Sequence, residues 1–112
     1  MRRVFHNGRV LVDGALRDDV AVVVEGGRIA AIDAELDGDR IDLKGDILAP
    51  GFIDTQVNGG GGVLFNDAPT VETIERIGAA HRRFGTTGFL PTLISDDLPV
   101  IARAIGAVDA AI

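Results

Sequence analysis

The stretch Ala49-Pro50-Gly51-Phe52-Ile53-Asp54-Thr55-Gln56-Val57-Asn58-Gly59-Gly60-Gly61-Gly62 is where the chain changes texture. Pro50-Gly51 punctuates the chain, and residues 52–58 then read as a strand that runs into four glycines. Side chains two apart share a face of a strand. Asp54, Gln56 and Asn58 therefore lie on one face with Phe52, and Ile53, Thr55 and Val57 on the other. Polar side chains on a strand that expects burial need partners, since each left unpaired costs about 1–3 kcal/mol. Two readings fit. The side chains bond backbone in a polar loop, or they line a polar cavity at the strand's C-terminal end, where barrels of parallel strands place their sites.

Downstream the period changes. Residues 71–84 predict a helix, because Val71, Ile74, Ile77, Gly78, His81 and Phe84 recur at spacings of three and four. Pro69-Thr70 precedes it as a helix start should, and Gly85 follows it as an expected C′ glycine. Residues 89–94 predict a second strand. Residues 97–112 predict a second helix with Leu98, Ile101, Ala102, Ile105 and Val108 on one face, and with Ser95, Asp96 and Asp97 as N-cap candidates. This β-α-β-α order implies a parallel sheet covered by helices. Two strands are too few for such a sheet, which is normally buried on both faces.

Upstream, residues 1–48 read as short antiparallel strands. Residues 4–6 and 9–12 flank Asn7-Gly8, predicting a hairpin with a type I′ turn. Asp13-Gly14 predicts another turn. Residues 20–25 and 28–32 flank Gly26-Gly27, predicting a second hairpin. Residues 40–43 and 46–48 are weaker strands around Lys44-Gly45, and residues 33–40, with alternating acidic side chains, predict a solvated loop. This spacing of strands suggests part of a small β-sandwich. The expected organisation is thus residues 1–48 in a small sandwich and residues 49–112 in two βα units.

Composition narrows the function. With 112 residues the chain cannot close a (β/α)₈ barrel, which needs about 250. Residues 1–50 carry 7 basic and 10 acidic groups and residues 51–112 carry 4 and 7, so each half contributes equally to the net charge of −6. No basic stripe exists to displace counterions from nucleic acid or to meet an anionic membrane. There is no cysteine, which excludes disulfides, thiolate metal sites and a cysteine nucleophile. His6 and His81 lie in different elements, and His81 on the apolar helical face reads as a core or boundary histidine. Ser95 is the only serine, and no His lies near it in sequence, which disfavours a nucleophilic triad. The four glycines match neither phosphate-binding fingerprint and read as a tight turn. No apolar run has signal-peptide or membrane-helix length, so a cytoplasmic protein is expected.

Residues 49–67, Ala-Pro-Gly-Phe-Ile-Asp-Thr-Gln-Val-Asn-Gly-Gly-Gly-Gly-Val-Leu-Phe-Asn-Asp, resemble the first barrel strand and following loop of the N-acetylglucosamine-6-phosphate deacetylase family, within the amidohydrolase superfamily. Most superfamily members carry Pro-Gly-x-Ile-Asp-x-His-x-His here, with both histidines on metal. Gln56 and Asn58 stand at those two positions, as in the deacetylase branch that uses a single metal. Residues 84–94, Phe-Gly-Thr-Thr-Gly-Phe-Leu-Pro-Thr-Leu-Ile, resemble the family's second strand, and the N-terminal hairpins its small sandwich.

The resemblance implies an α/β fold: part of a small β-sandwich followed by the first two βα units of a (β/α)₈ barrel. It implies hydrolysis of N-acetylglucosamine 6-phosphate to glucosamine 6-phosphate and acetate by a full-length, homo-oligomeric enzyme, a homodimer for example, with a divalent metal, zinc or iron. The family's metal ligands and general acid/base come from later strands. No catalytic or metal-ligating residue is therefore expected among these 112. Gln56 and Asn58 are the pocket-lining candidates, and the chain alone is expected to bind no metal and to be inactive. Two rival readings stay open: another amidohydrolase that has lost the histidine pair, and a non-enzymatic α/β module that binds a partner through an open sheet edge.

Overall fold

The computed structural model describes residues 1–33 and 37–112. It divides into two compact units, Met1–Pro50 and Gly51–Ile112.

In the first unit, strands β1 (Arg2–His6), β4 (Val22–Glu25), β5 (Arg28–Ile32) and β6 (Asp39–Asp42) form one sheet in the order β5-β4-β1-β6. Strands β2 (Arg9–Val12), β3 (Ala15–Arg17) and β7 (Ile47–Leu48) form a second, in the order β3-β2-β7. Val10, Val20 and Val22 are buried together, with Phe5, Val12, Val24 and Leu48 packed against them. Side chains from both sheets thus meet in one apolar layer, as sheet-on-sheet packing requires. Gly26-Gly27 turns β4 into β5 with both φ angles positive, at 59° and 76°, as a type I′ turn demands.

The other I′ turn is not at Asn7-Gly8. Only Asn7 takes positive φ there, and β1 and β2 belong to different sheets. The predicted first hairpin is therefore corrected to a crossing between sheets. Backbone partners explain it: Leu43 N donates to His6 O at 2.8 Å, Gly45 N to Asn7 O at 2.8 Å, and Arg9 N to Asp46 O at 3.0 Å. A Cβ on Gly8 would lie 2.5 Å from Asp46 O and 2.7 Å from Leu43 Cβ, so glycine serves close approach here, not turn geometry. The I′ turn falls at Asp13-Gly14, with φ of 50° and 78°, and joins β2 to β3. β3, all of whose residues are exposed, escaped the sequence reading because it carries no apolar alternation. Of the predicted loop over 33–40, residues 34–36 lie outside the described residues, and Asp39 and Arg40 belong to β6.

The second unit begins with β8 (Phe52–Val57), which pairs in parallel with β11 (Thr86–Pro91). Between them lie β9 (Gly59–Gly60), β10 (Val63–Leu64) and helix α1 (Val71–Arg82); helix α2 (Leu98–Ala111) follows β11. The glycine run is a complete hairpin: Gly60 pairs with Val63, and Gly61-Gly62 turn with φ of 63° and 79°. Thr70 caps α1, its hydroxyl accepting from Thr73 N at 3.3 Å. α1 ends at Arg82, short of the predicted Phe84, which is 77% exposed; Gly85, at φ 93°, lies two residues past the cap at Arg83, not at C′. β11 starts three residues before the predicted strand. Gly88 and Pro91 weaken its strand signal, and the pairing with β8 absorbs them through two register irregularities.

Val57, Phe65, Ile74, Ile77, Ala104 and Ala107 form the core of this unit. The packed face of α2 is Ala104 and Ala107, flanked by Val108 of the predicted stripe, while Leu98 and Ile105 of that stripe are 80% and 59% exposed. The predicted stripe left out Ala104 and Ala107, whose small side chains let the helix sit close to its neighbours.

Candidate functional site

The strand-end region is built from the loops that leave β8 and β11. Val57 is buried in the core, which turns the alternate side chains of β8 away from the helices. β8 ends at Val57, so Asn58 lies one residue past the strand rather than on its last rung. Asn58 is half-buried, and its Nδ2 donates to Thr92 O at 2.8 Å, just past the end of β11. Thr92 N in turn donates to Val57 O at 2.8 Å. Gln56 is exposed, and its backbone N donates to the Asp54 carboxylate at 3.1 Å. Of the two pocket candidates, the structure ties Asn58 into backbone and leaves the Gln56 side chain without a hydrogen bond among the described residues.

The hairpin of glycines is seated on α1. His81 Nε2 lies 2.9 Å from Gly59 O. A carbonyl oxygen only accepts, so Nε2 carries the proton. Arg76 Nε donates to Gly61 O at 2.9 Å. The run therefore presents carbonyls already engaged by the helix, the opposite of the free N–H nest that cradles phosphate. His81 is a boundary histidine with a backbone partner.

The sequence reading did not single out Asn66. Its Nδ2 donates both to Ile94 O and to Asp96 Oδ2, each at 2.8 Å, and its Oδ1 accepts from Ile94 N at 2.9 Å. Asp96 also accepts from Asp97 N at 2.8 Å. The Asn66 amide and then the Asp97 N–H hold the Asp96 carboxyl below its usual range. Asp96 is thus bound by Asn66, and Asp97 occupies the α2 cap position without a side-chain capping bond. An asparagine in a loop gives no such signal in a sequence, because its partners lie about thirty residues on.

Chemically, the region offers neutral carboxamides, the Asp54 carboxylate on β8, and the Asp96 carboxylate already held by Asn66 and the Asp97 N–H. Carboxamides bind and orient polar groups but move no proton near neutral pH. Among the described residues no three of His, Asp or Glu converge as a metal site. Gln56 and Asn58 offer only neutral carboxamide oxygens, weak ligands for a tight zinc-type site. Among the described residues, those at this strand end do not by themselves fit a metal.

No family model matches the chain. It is 46% identical over 110 residues to N-acetylgalactosamine-6-phosphate deacetylase of Shewanella sp. (strain ANA-3), covering 93% of this chain and 28% of that protein. The structure of N-acetylglucosamine-6-phosphate deacetylase from Pasteurella multocida matches 99% of this chain with a TM-score of 0.91 and 33% identity. The chain matches N-acetylglucosamine-6-phosphate deacetylase homologues, of the amidohydrolase superfamily, over a fraction of their length. It spans 28% of the Shewanella relative and 30% of the Pasteurella chain. A deacetylase from Mycobacterium smegmatis, solved as a D267A mutant in complex with N-acetyl-D-glucosamine-6-phosphate, matches 98% of this chain and 29% of that one, with a TM-score of 0.78 and 26% identity. By likeness to these solved structures, the two-sheet unit and the two βα units are a partial α/β amidohydrolase fold of the barrel type, in a superfamily that is generally metal-dependent. Among the described residues no helix is long and apolar enough to cross a membrane.

Proposed function

We propose that this chain contributes the first barrel wall of an enzyme that hydrolyses the acetamide of N-acetylglucosamine 6-phosphate to glucosamine 6-phosphate and acetate. The observation that carries the reading is the Gln56-x-Asn58 pair at the end of β8, followed by the glycine hairpin, on a backbone that superimposes with TM-score 0.91 on a deacetylase of that name. The chain's own part is to present neutral carboxamides beside the strand ends, where a sugar's hydroxyls and amide find hydrogen-bond partners without competing charge. A divalent metal, zinc or iron, would be held by residues beyond this chain, as would the acid and base. The 112-residue chain by itself is therefore read as inactive and metal-free. Phosphosugars do not cross bilayers unaided, which suits a cytoplasmic homo-oligomer with no nucleic-acid or membrane partner.

A second reading, the C4 epimer N-acetylgalactosamine 6-phosphate, is favoured by the 46% identity to the Shewanella enzyme over nearly the whole chain. Acetate release from each phosphosugar by the gene's full product, with and without a chelator, tests both. Faster turnover of the galactosamine epimer would replace the first reading by the second, and no release from either would remove both.

A further inference from the structure

We propose that Asn66 is a positioning residue that fixes residues 94–97 at the C-terminal ends of β8 and β11, and with them the rim of the site. The proposal rests on reading those strand ends as the site wall.

The Asn66 carboxamide is used to capacity. Both amide hydrogens are donated, to Ile94 O and Asp96 Oδ2, and the oxygen accepts from Ile94 N. Only a primary amide supplies two donors and an acceptor in one plane. Aspartate lacks the donors, serine lacks the span, and glutamine is longer by a methylene. The clamp is also anchored. Its neighbour Phe65 is 1% exposed, in the core with Val57 and Ile77, and Phe65 N donates to Asn58 O at 2.8 Å. The Asn66 backbone is thus held from both the core and the site residue Asn58. At the other end, Asp96 passes the constraint to Asp97 N at the start of α2. Asn58 holds Thr92 and Asn66 holds Ile94, so the loop after β8 grips the segment leaving β11 at successive alternate residues. Bonds to the N–H and the C=O of one residue and to one carboxylate, made from a rigid base, are what keeps a site rim in place between turnovers.

The test is amide hydrogen exchange in the gene's full product, comparing the peptide spanning residues 93–97 with α1. Asn66→Asp removes both donors and sets a carboxylate against Asp96, with Asp97 and Arg103 the other charges nearby. Exchange in 93–97 is expected to rise at least about tenfold over the unsubstituted protein at pH 7, as loss of net hydrogen bonds of this kind predicts, with α1 within about twofold. At pH 4 the substituted carboxyl regains a donor and the difference is expected to narrow. Asn66→Ser is expected to show the loss at both pH values. For the phosphosugar, N66D is expected to raise KM severalfold with kcat nearly unchanged. Unchanged exchange in 93–97 overturns the clamp, and equal acceleration of α1 in both variants makes Asn66 a scaffold residue and overturns it too. Faster loop exchange with unchanged KM overturns the link to the site. Absence of acetate release by the unsubstituted protein removes the proposed function, and the exchange result then decides the clamp alone.

Discussion

A Cβ on Gly60 would lie 2.8 Å from His81 Nε2, the atom that bonds Gly59 O. Gly60→Ala is expected to push the imidazole off that carbonyl and to destabilise the fold by about 1–2 kcal/mol in urea denaturation. His81→Ala is expected to cost a similar amount, and the double variant less than the two together, because both remove one bond. Additive losses would show that Gly60 and His81 act separately. The glycines were legible as a turn, from composition alone. That His81 seats them was not, since a spacing of twenty-two residues carries no local signal. Asn58 is similar: its polar character was readable, and its engagement by Thr92 O depends on how β8 and β11 register.

At the scale of elements, α1 was the most legible part, because Ile74 and Ile77 are buried as their spacing predicts. Ile77 has no exposed surface, and Ile77→Ala is expected to cost about 2–5 kcal/mol. Thr70→Ala, at the cap, is expected to cost about 1 kcal/mol. Both are read from denaturant midpoints. The first hairpin was misread because Asn7-Gly8 has the composition of an I′ turn, while non-local bonds from Leu43, Gly45 and Asp46 decide its conformation.

The loops also set a pH response. The Lys44 N–H and then the Asn7 amide lower the Asp42 carboxyl. The Glu72 carboxyl is lowered by its own backbone N–H and then by Thr70, and Asp96 by Asn66 and then the Asp97 N–H. Each depressed carboxyl contributes stability that is fully present above its ordinary value, 3.8 for Asp and 4.5 for Glu, and lost as pH falls through the folded value. Melting temperature is therefore expected to fall as acid passes below pH 4–5, and Asp96→Asn is expected to flatten that fall. An identical slope in D96N would contradict the role of its hydrogen bonds.

On the whole-molecule scale, the sequence places its change of texture between residues 48 and 49, and the structure forms two compact units, Met1–Pro50 and Gly51–Ile112. What the sequence reading lacked was the surface. Phe52, Ile53, Leu90, Leu98 and Ile105 are each more than half exposed. Apolar side chains on a two-stranded parallel sheet and its helix are an association hazard when uncovered. The 112-residue chain by itself is expected to sediment as oligomers, with Leu98→Lys/Ile105→Lys shifting it toward monomer; a monomeric unsubstituted chain would contradict this. The most direct test of the central claim is acetate release from N-acetylglucosamine 6-phosphate by the gene's full product, measured beside the 112-residue chain. Metal-dependent release by the full product and none by the 112-residue chain is expected. Release by that chain, or an inactive full product with its metal restored, would contradict it.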